Sequence, residues 1–147
     1  MSKTLIKKGD TLKIYTDGAA RGNPGPAAIS FVFLSTNNII HKGSEFIGEA
    51  TNNIAEYKAI SYALRSAEKF HKGHLKLYSD SNLVINQINK KWKVNFAHLS
   101  KLRNEIYQLS LKYEKVEFFQ VGRDNFYIEI CDKMCNDKLD EVMKTRG

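Results

Sequence analysis

Cysteine is nearly missing from this sequence, with Cys131 and Cys135 the only two in 147 residues. Two are too few for a disulfide framework, and no second Cys or His pair stands near them at zinc-ligand spacing. Four apart on a helix, they would share one face as reduced, mostly buried thiols. Long apolar runs are missing too: none approaches the ~20 residues of a membrane-spanning helix. Residues 1–10 are polar and hold lysines, with no apolar stretch or cleavage site. They read as a frayed start rather than a secretion signal, and the expected location is the cytoplasm. Acids are in deficit, 16 against 23 Lys and Arg, for a net charge of +7. That balance favours a polyanionic partner, nucleic acid or a membrane surface, although many basic proteins bind neither. Internal repeats and low-complexity tracts are absent.

What is present suits a globular protein. The hydrophobic fraction is 42% and the aromatic fraction 11%, which excludes global disorder. A chain of this length forms one domain, residues 1–147, able to bury about two thirds of its extended surface.

The stretch Leu12-Lys13-Ile14-Tyr15-Thr16-Asp17 alternates with the period of a strand. It runs into Gly18-Ala19-Ala20-Arg21-Gly22-Asn23-Pro24-Gly25-Pro26, where glycine permits close backbone approach and proline ends strand pairing. The pattern predicts a strand over residues 11–17 that delivers Asp17 to a sheet edge beside a loop. Strands over 27–35 and 39–47, joined by a turn at 36–38, complete an antiparallel meander. Thr51 or Asn52 caps a helix that runs to about residues 71–73. Residues 75–79 form a short apolar strand of the kind buried mid-sheet, parallel to the first. Helices over 81–89 and 96–113, a strand over 116–121, a loop at 122–125 and a helix over 127–144 follow. The predicted class is α/β, a five-stranded mixed sheet, three strands antiparallel and then two parallel, flanked by helices.

Four acids fall in compatible places. Asp17 ends the first strand, and Asp80 follows the short central one, so parallel neighbours would bring them side by side. Glu56 lies in the predicted first turn of a helix, where the dipole favours an anion. Asp132 is near the start of the last helix. An acid at a helix start is usually structural; converging acids, however, raise one another's pKa unless a cation neutralises them. Magnesium suits such a set, since it takes carboxylate oxygens, waters and substrate phosphate. Further along, Lys90-Lys91-Trp92-Lys93 interleaves cations with an aromatic, followed by His98, Lys101 and Arg103. That suits phosphate contact and packing on a sugar or base; a solvated helix end with Trp92 tucked into the core fits equally well.

Three stretches together, Ile14-Tyr15-Thr16-Asp17-Gly18 with Gly22-Asn23-Pro24-Gly25-Pro26, Thr51-Asn52-Asn53-Ile54-Ala55-Glu56, and Leu77-Tyr78-Ser79-Asp80-Ser81, resemble the successive signatures of type 1 ribonuclease H. The resemblance spans about residues 13–140. It implies a ribonuclease H-like fold and an endonuclease that hydrolyses the RNA strand of an RNA–DNA hybrid, leaving 3′-hydroxyl and 5′-phosphate ends. By position, Asp17, Glu56, Asp80 and Asp132 would be catalytic and hold two Mg²⁺ ions, with Mn²⁺ an alternative. Glu56 would also lie close to the ribose 2′-hydroxyl. RNA-strand contacts map to the backbone at Ala20 and Gly22 and the side chains of Asn23, Asn52 and Asn53, amides that both donate and accept.

The departures matter as well. Many members have a histidine in the loop before the last acid, and residues 121–126 hold none. Arg123 stands where the archaeal-like branch carries arginine, and is the candidate for contact with the scissile phosphate or the product. The usual asparagine four before the last acid is Ile128, which leaves Asp124 and Asp137 as rivals to Asp132. One helix alone spans the region of the basic handle seen in some relatives, so Lys91, Trp92 and Lys93 become the candidate grip on the DNA strand. A monomer with no membrane association is expected. Two other readings stay open: a module that binds hybrid or RNA with weak or no cleavage, and a related metal nuclease acting on double-stranded RNA.

Overall fold

The computed structural model describes residues 6, 7 and 9–146, Arg146 by its backbone alone. Five strands, β1 (Thr11–Ala20), β2 (Gly25–Ser35), β3 (Asn38–Ala50), β4 (His74–Ser79) and β5 (Lys115–Gln120), form one sheet in the order β3-β2-β1-β4-β5. The first three pair antiparallel, β4 runs parallel to β1, and β5 parallel to β4. Among the described residues four helices flank the sheet: α1 (Asn52–Ala67), α2 (Asn82–Ile88), α3 (Ala97–Ser110) and α4 (Phe126–Arg146). This is the expected mixed sheet.

Strand alternation sends one set of side chains to each face. Leu12, Ile14, Ile29, Phe31, Phe33, Leu75 and Leu77 meet Tyr57, Ile60 and Leu64 of α1 and Ile106 and Leu109 of α3. On the other face Tyr15, Val32 and Leu34 meet Ile128 and Cys131 of α4, while Ala28 meets Cys135 and Leu139. Strand β2 is covered on both sides and has no exposed residue. Both thiols are free and buried, as expected. Among the described residues no helix is long and apolar enough to cross a membrane.

Several boundaries differ from the sequence pattern. Strand β1 does not stop at Asp17: the small side chains of Gly18, Ala19 and Ala20 pair with Ile29, Ala28 and Ala27. The Arg21 N–H then closes the loop on the Pro26 carbonyl at 2.8 Å. Asp17 therefore sits inside a strand, and the strand that ends at this level is β4. Its register sets Tyr78 beside Tyr15, which carries Asp80 level with Asp17. Helix α1 ends at Ala67, earlier than expected, because the chain turns so that the Phe70 ring meets Phe33 edge-on at 5.4 Å and His41 at 4.9 Å. Of the expected frayed start, residues 1–5 and 8 lie outside the described ones. Ile6 packs on the core, and the Asp10 N–H reaches the Lys7 carbonyl at 3.0 Å.

Candidate active site

Each acid is placed by a local device. Thr51 caps α1, its Oγ1 accepting from the Ile54 N–H at 3.2 Å. Glu56 consequently falls in the second turn of the helix, not the first as expected. What holds it is strand β1: the Gly18 N–H donates to Glu56 Oε1 at 3.0 Å. That approach requires glycine, since a Cβ on Gly18 would lie 2.3 Å from the Ala55 carbonyl carbon and 2.6 Å from the Glu56 nitrogen. Ser81 caps α2 through the Val84 N–H, fixing the turn that presents Asp80. Asp17, Glu56 and Asp80 each offer one oxygen, all within 4.8 Å of one another.

Convergence of three acids has an electrostatic consequence. Asp17 is pushed up to about 8, by burial first and then by the charges of Asp80 and Asp132. Glu56 is held well above its ordinary range by burial, then by Asp17 and Asp80. Burial also raises Asp80, against the pull of Arg123. Negative charge at these positions is thus costly until a positive partner arrives. One oxygen of Asp80, Oδ1, is buried with no hydrogen-bond partner among the described residues. An orphaned carboxylate oxygen in an all-oxygen donor set fits a hard divalent cation. The thiols do not compete for it: Cys135 Sγ points at the Asp17 and Ala28 carbonyls, and burial raises both thiol pKa values.

A cleft of roughly 650 Å³ opens over the cluster, with Asn52, Asn53, Arg123 and Asp132 in its walls. Asp132 lies outside the 4.8 Å group but on the same cleft. Of its rivals, Asp124 is exposed and absent from the lining, and Asp137 pairs with Lys133 at 2.8 Å on the open face of α4. The exposed Arg123 reaches Asp80 Oδ2 with Nε at 3.7 Å. Asn52 accepts from the Ala20 N–H through Oδ1 and donates its own N–H to Asn23 Oδ1, both at 3.0 Å. The start of α1 and the glycine-rich loop are joined in this way. Gly22, at φ +104°, supplies the left-handed turn.

Asn53 also lines a second groove, of roughly 530 Å³, with Gln87, Lys91, Trp92, Lys93 and Phe96. Helix α2 ends with Lys90 left-handed at φ 63°, and the N–H groups of Lys90 and Lys91 close on the Gln87 and Asn86 carbonyls. That turn throws residues 91–93 outward. Trp92 is 45% exposed rather than tucked into the core. Gln87 braces the loop, donating to the Lys93 carbonyl at 3.2 Å while accepting from the buried Tyr57 hydroxyl at 2.6 Å.

The structure adds residues that the sequence pattern did not single out. Glu129 lines the cleft one turn before Asp132, an i, i+3 spacing that is readable in the sequence. Arg21 reaches from the loop to Asp140 and Asn136. Asn136 stands four residues after Asp132 and Asp140 eight, a periodicity equally visible beforehand.

A mixed sheet bearing an all-oxygen carboxylate cluster, with an aromatic and cationic groove alongside, is an arrangement that could hold a divalent cation beside a phosphate-bearing ligand. The sequence matches the model of the RNase H family over residues 9–135. Ribonuclease HI of Halobacterium salinarum is 36% identical over 136 residues, which is 92% of this chain and 67% of that protein. The bifunctional protein Rv2228c of Mycobacterium tuberculosis is 33% identical; the match covers 90% of this chain and 36% of the other. The chain thus spans about two thirds of the first relative and about a third of the second. LC11-RNase H1, solved in complex with an RNA/DNA hybrid, superposes with a TM-score of 0.85 at 31% identity, covering 90% of this chain and 99% of that one. The chain belongs to the RNase H family, whose members are metal-dependent endoribonucleases.

Proposed function

We propose that the protein hydrolyses the RNA strand of RNA–DNA hybrids, leaving 3′-hydroxyl and 5′-phosphate ends, and acts as a monomer. Asp17, Glu56, Asp80 and Asp132 hold two divalent cations, Mg²⁺ with Mn²⁺ as an alternative. The observation that carries this reading is the orphaned Asp80 Oδ1 in a group of three carboxylate oxygens within 4.8 Å. The hybrid held by LC11-RNase H1 supports the choice of substrate.

When bound, the cations neutralise the carboxylates, lower the pKa of the attacking water and stabilise the leaving oxygen. The remaining tasks fall to the chain. The Gly18 N–H locks Glu56 in place, beside where a ribose 2′-hydroxyl would distinguish RNA from DNA. The tie between Ala20, Asn52 and Asn23 presents amides and main-chain groups along the rim for the RNA strand. Arg123, exposed and facing Asp80, offers a guanidinium to the scissile phosphate. Lys91, Trp92 and Lys93 grip the DNA strand in the adjoining groove.

A labelled hybrid tests the reading. Wild-type protein cuts it with Mg²⁺ and leaves duplex RNA and duplex DNA intact; Asp80→Asn abolishes turnover, Asp132→Asn cuts it to a small but measurable residual rate, and Asp124→Asn keeps it. Loss with Asp124→Asn alone would move the fourth acid to the loop. No cleavage of any substrate by wild type would leave a binding module, and preferential cutting of duplex RNA would change the substrate.

A further inference from the structure

Asp132 differs from the other acids in its support. It is exposed on α4, and no backbone N–H holds it as Gly18 holds Glu56 among the described residues; an Asp side chain with so little support exchanges among staggered rotamers. Its one described side-chain partner is Asn136, a turn further on, whose Nδ2 lies 3.0 Å from the Asp132 carbonyl and 3.4 Å from Asp132 Oδ1. A carboxamide donates only from its nitrogen end. The opposite end, Asn136 Oδ1, accepts from Arg21 Nη2 at 3.3 Å. Arginine has no acceptor, so this contact obliges the amide oxygen to face Arg21 and the nitrogen to face Asp132. Arg21 is itself aimed by Asp140 Oδ1 at 2.6 Å, by the Asn136 carbonyl at 3.2 Å and by Met143 Sδ, 3.3 Å from Nη1. Its backbone meanwhile closes the glycine-rich loop on Pro26.

We propose that Arg21 and Asn136 are positioning residues for Asp132, joining the glycine-rich loop and the carboxylate of α4 into one rigid unit. The inference rests on Asp132 working in the proposed hydrolysis. A surface ion pair of this exposure adds little to stability, and only one of the Arg21 contacts is ionic. The others fix a helix carbonyl, a thioether and the orientation of one amide, which is work for a forked guanidinium and not for a lysine. None of these residues belongs to the group formed by Asp17, Glu56 and Asp80.

The test uses the full chain with Arg21→Lys, Asn136→Ala and Asp132→Asn, alone and combined. In metal-free protein labelled with ¹⁵N, the Asn136 side-chain amide should exchange slowly with water in wild type and fast in Arg21→Lys, with the melting temperature nearly unmoved. On a labelled hybrid, Arg21→Lys and Asn136→Ala should each lower kcat about tenfold, the loss typical of partners that orient a metal ligand, and raise the Mg²⁺ concentration for half-activation. KM should stay within about twofold, as expected when ground-state binding is untouched. In the Asp132→Asn background neither change should cost anything further. A full additional loss in that background, or an amide indifferent to Arg21→Lys, would overturn the inference. Full turnover by Asp132→Asn alone would instead overturn the role of Asp132, and the amide exchange would then decide only whether Arg21 orients Asn136.

Discussion

Gly18→Ala probes the closest approach in the site. A methyl group there would sit 2.3 Å from the Ala55 carbonyl carbon, 2.4 Å from its oxygen and 2.6 Å from the Glu56 nitrogen. All three are backbone atoms, so no rotamer change relieves the clash, and β1 and α1 must separate by about 1 Å to restore van der Waals contact. The Gly18 to Glu56 hydrogen bond, 3.0 Å long, does not survive that shift. Overpacking costs ~1–3 kcal/mol, and an unmade bond to a buried carboxylate adds ~1–3 kcal/mol. Backbone relaxation relieves part of each, leaving about 3 kcal/mol, or roughly 10 °C in Tm for a chain of this size. Displacing a catalytic carboxylate by about 1 Å lowers kcat on the order of 100-fold. Circular dichroism melting and cleavage of a quenched fluorescent hybrid at about 25 °C in Mg²⁺ measure the two effects. A variant that melts within about 2 °C of wild type, by the same scale, and keeps at least a third of its kcat would refute the reasoning.

Three further outcomes are expected. Asp17 is raised from the usual 3.8 to about 8, so the folded chain binds more protons than the unfolded one between those values. Stability without metal therefore falls as pH rises through that window. Melts in EDTA at about pH 5 and about pH 8 check this: Tm should be lower at the higher pH, the difference should shrink in Asp17→Asn, and Mg²⁺ should raise Tm more at the higher pH. Charge reversal at Lys91 and Lys93 should raise KM for the hybrid and flatten its salt dependence by about one power for each phosphate no longer neutralised; an unchanged slope would remove these residues from the interface. Ser30→Ala strips the Cys131 carbonyl of a buried 2.7 Å hydrogen bond and Cys135 Sγ of a partner at 3.3 Å, at a cost of ~1–3 kcal/mol by denaturant melt. An unchanged midpoint in that melt would mean α4 is not anchored through Ser30.

Much of this architecture could be read from residue order. The alternation of Ile29, Phe31 and Phe33 is a strand signal, and Thr51 with Asn52 a helix-start signal, because both act within a few residues. The pairing of β4 with β1 followed from the strand-helix-strand order, and with it the meeting of Asp17 and Asp80. Boundaries set by tertiary contact were not readable. The extension of β1 to Ala20 depends on small residues across the sheet in β2, and α1 ends early because Phe70 turns back onto Phe33 and His41. The clasp of Glu56 by Gly18 pairs residues 38 apart, and nothing local announces it. The exposure of Trp92 depends on Lys90 accepting a left-handed backbone, for which lysine carries no sequence signal.

Because β4 pairs with β1 across more than sixty residues of chain, with Thr11 beside His74, the cluster cannot form in a fragment. Its acids are donated by residues 17, 56 and 80, with Asp132 added to the same cleft by α4. A divalent ion would therefore find its three-oxygen donor set only once β1 and β4 have paired. A chain in which β1 and β4 have not paired has no such cluster to offer a cation.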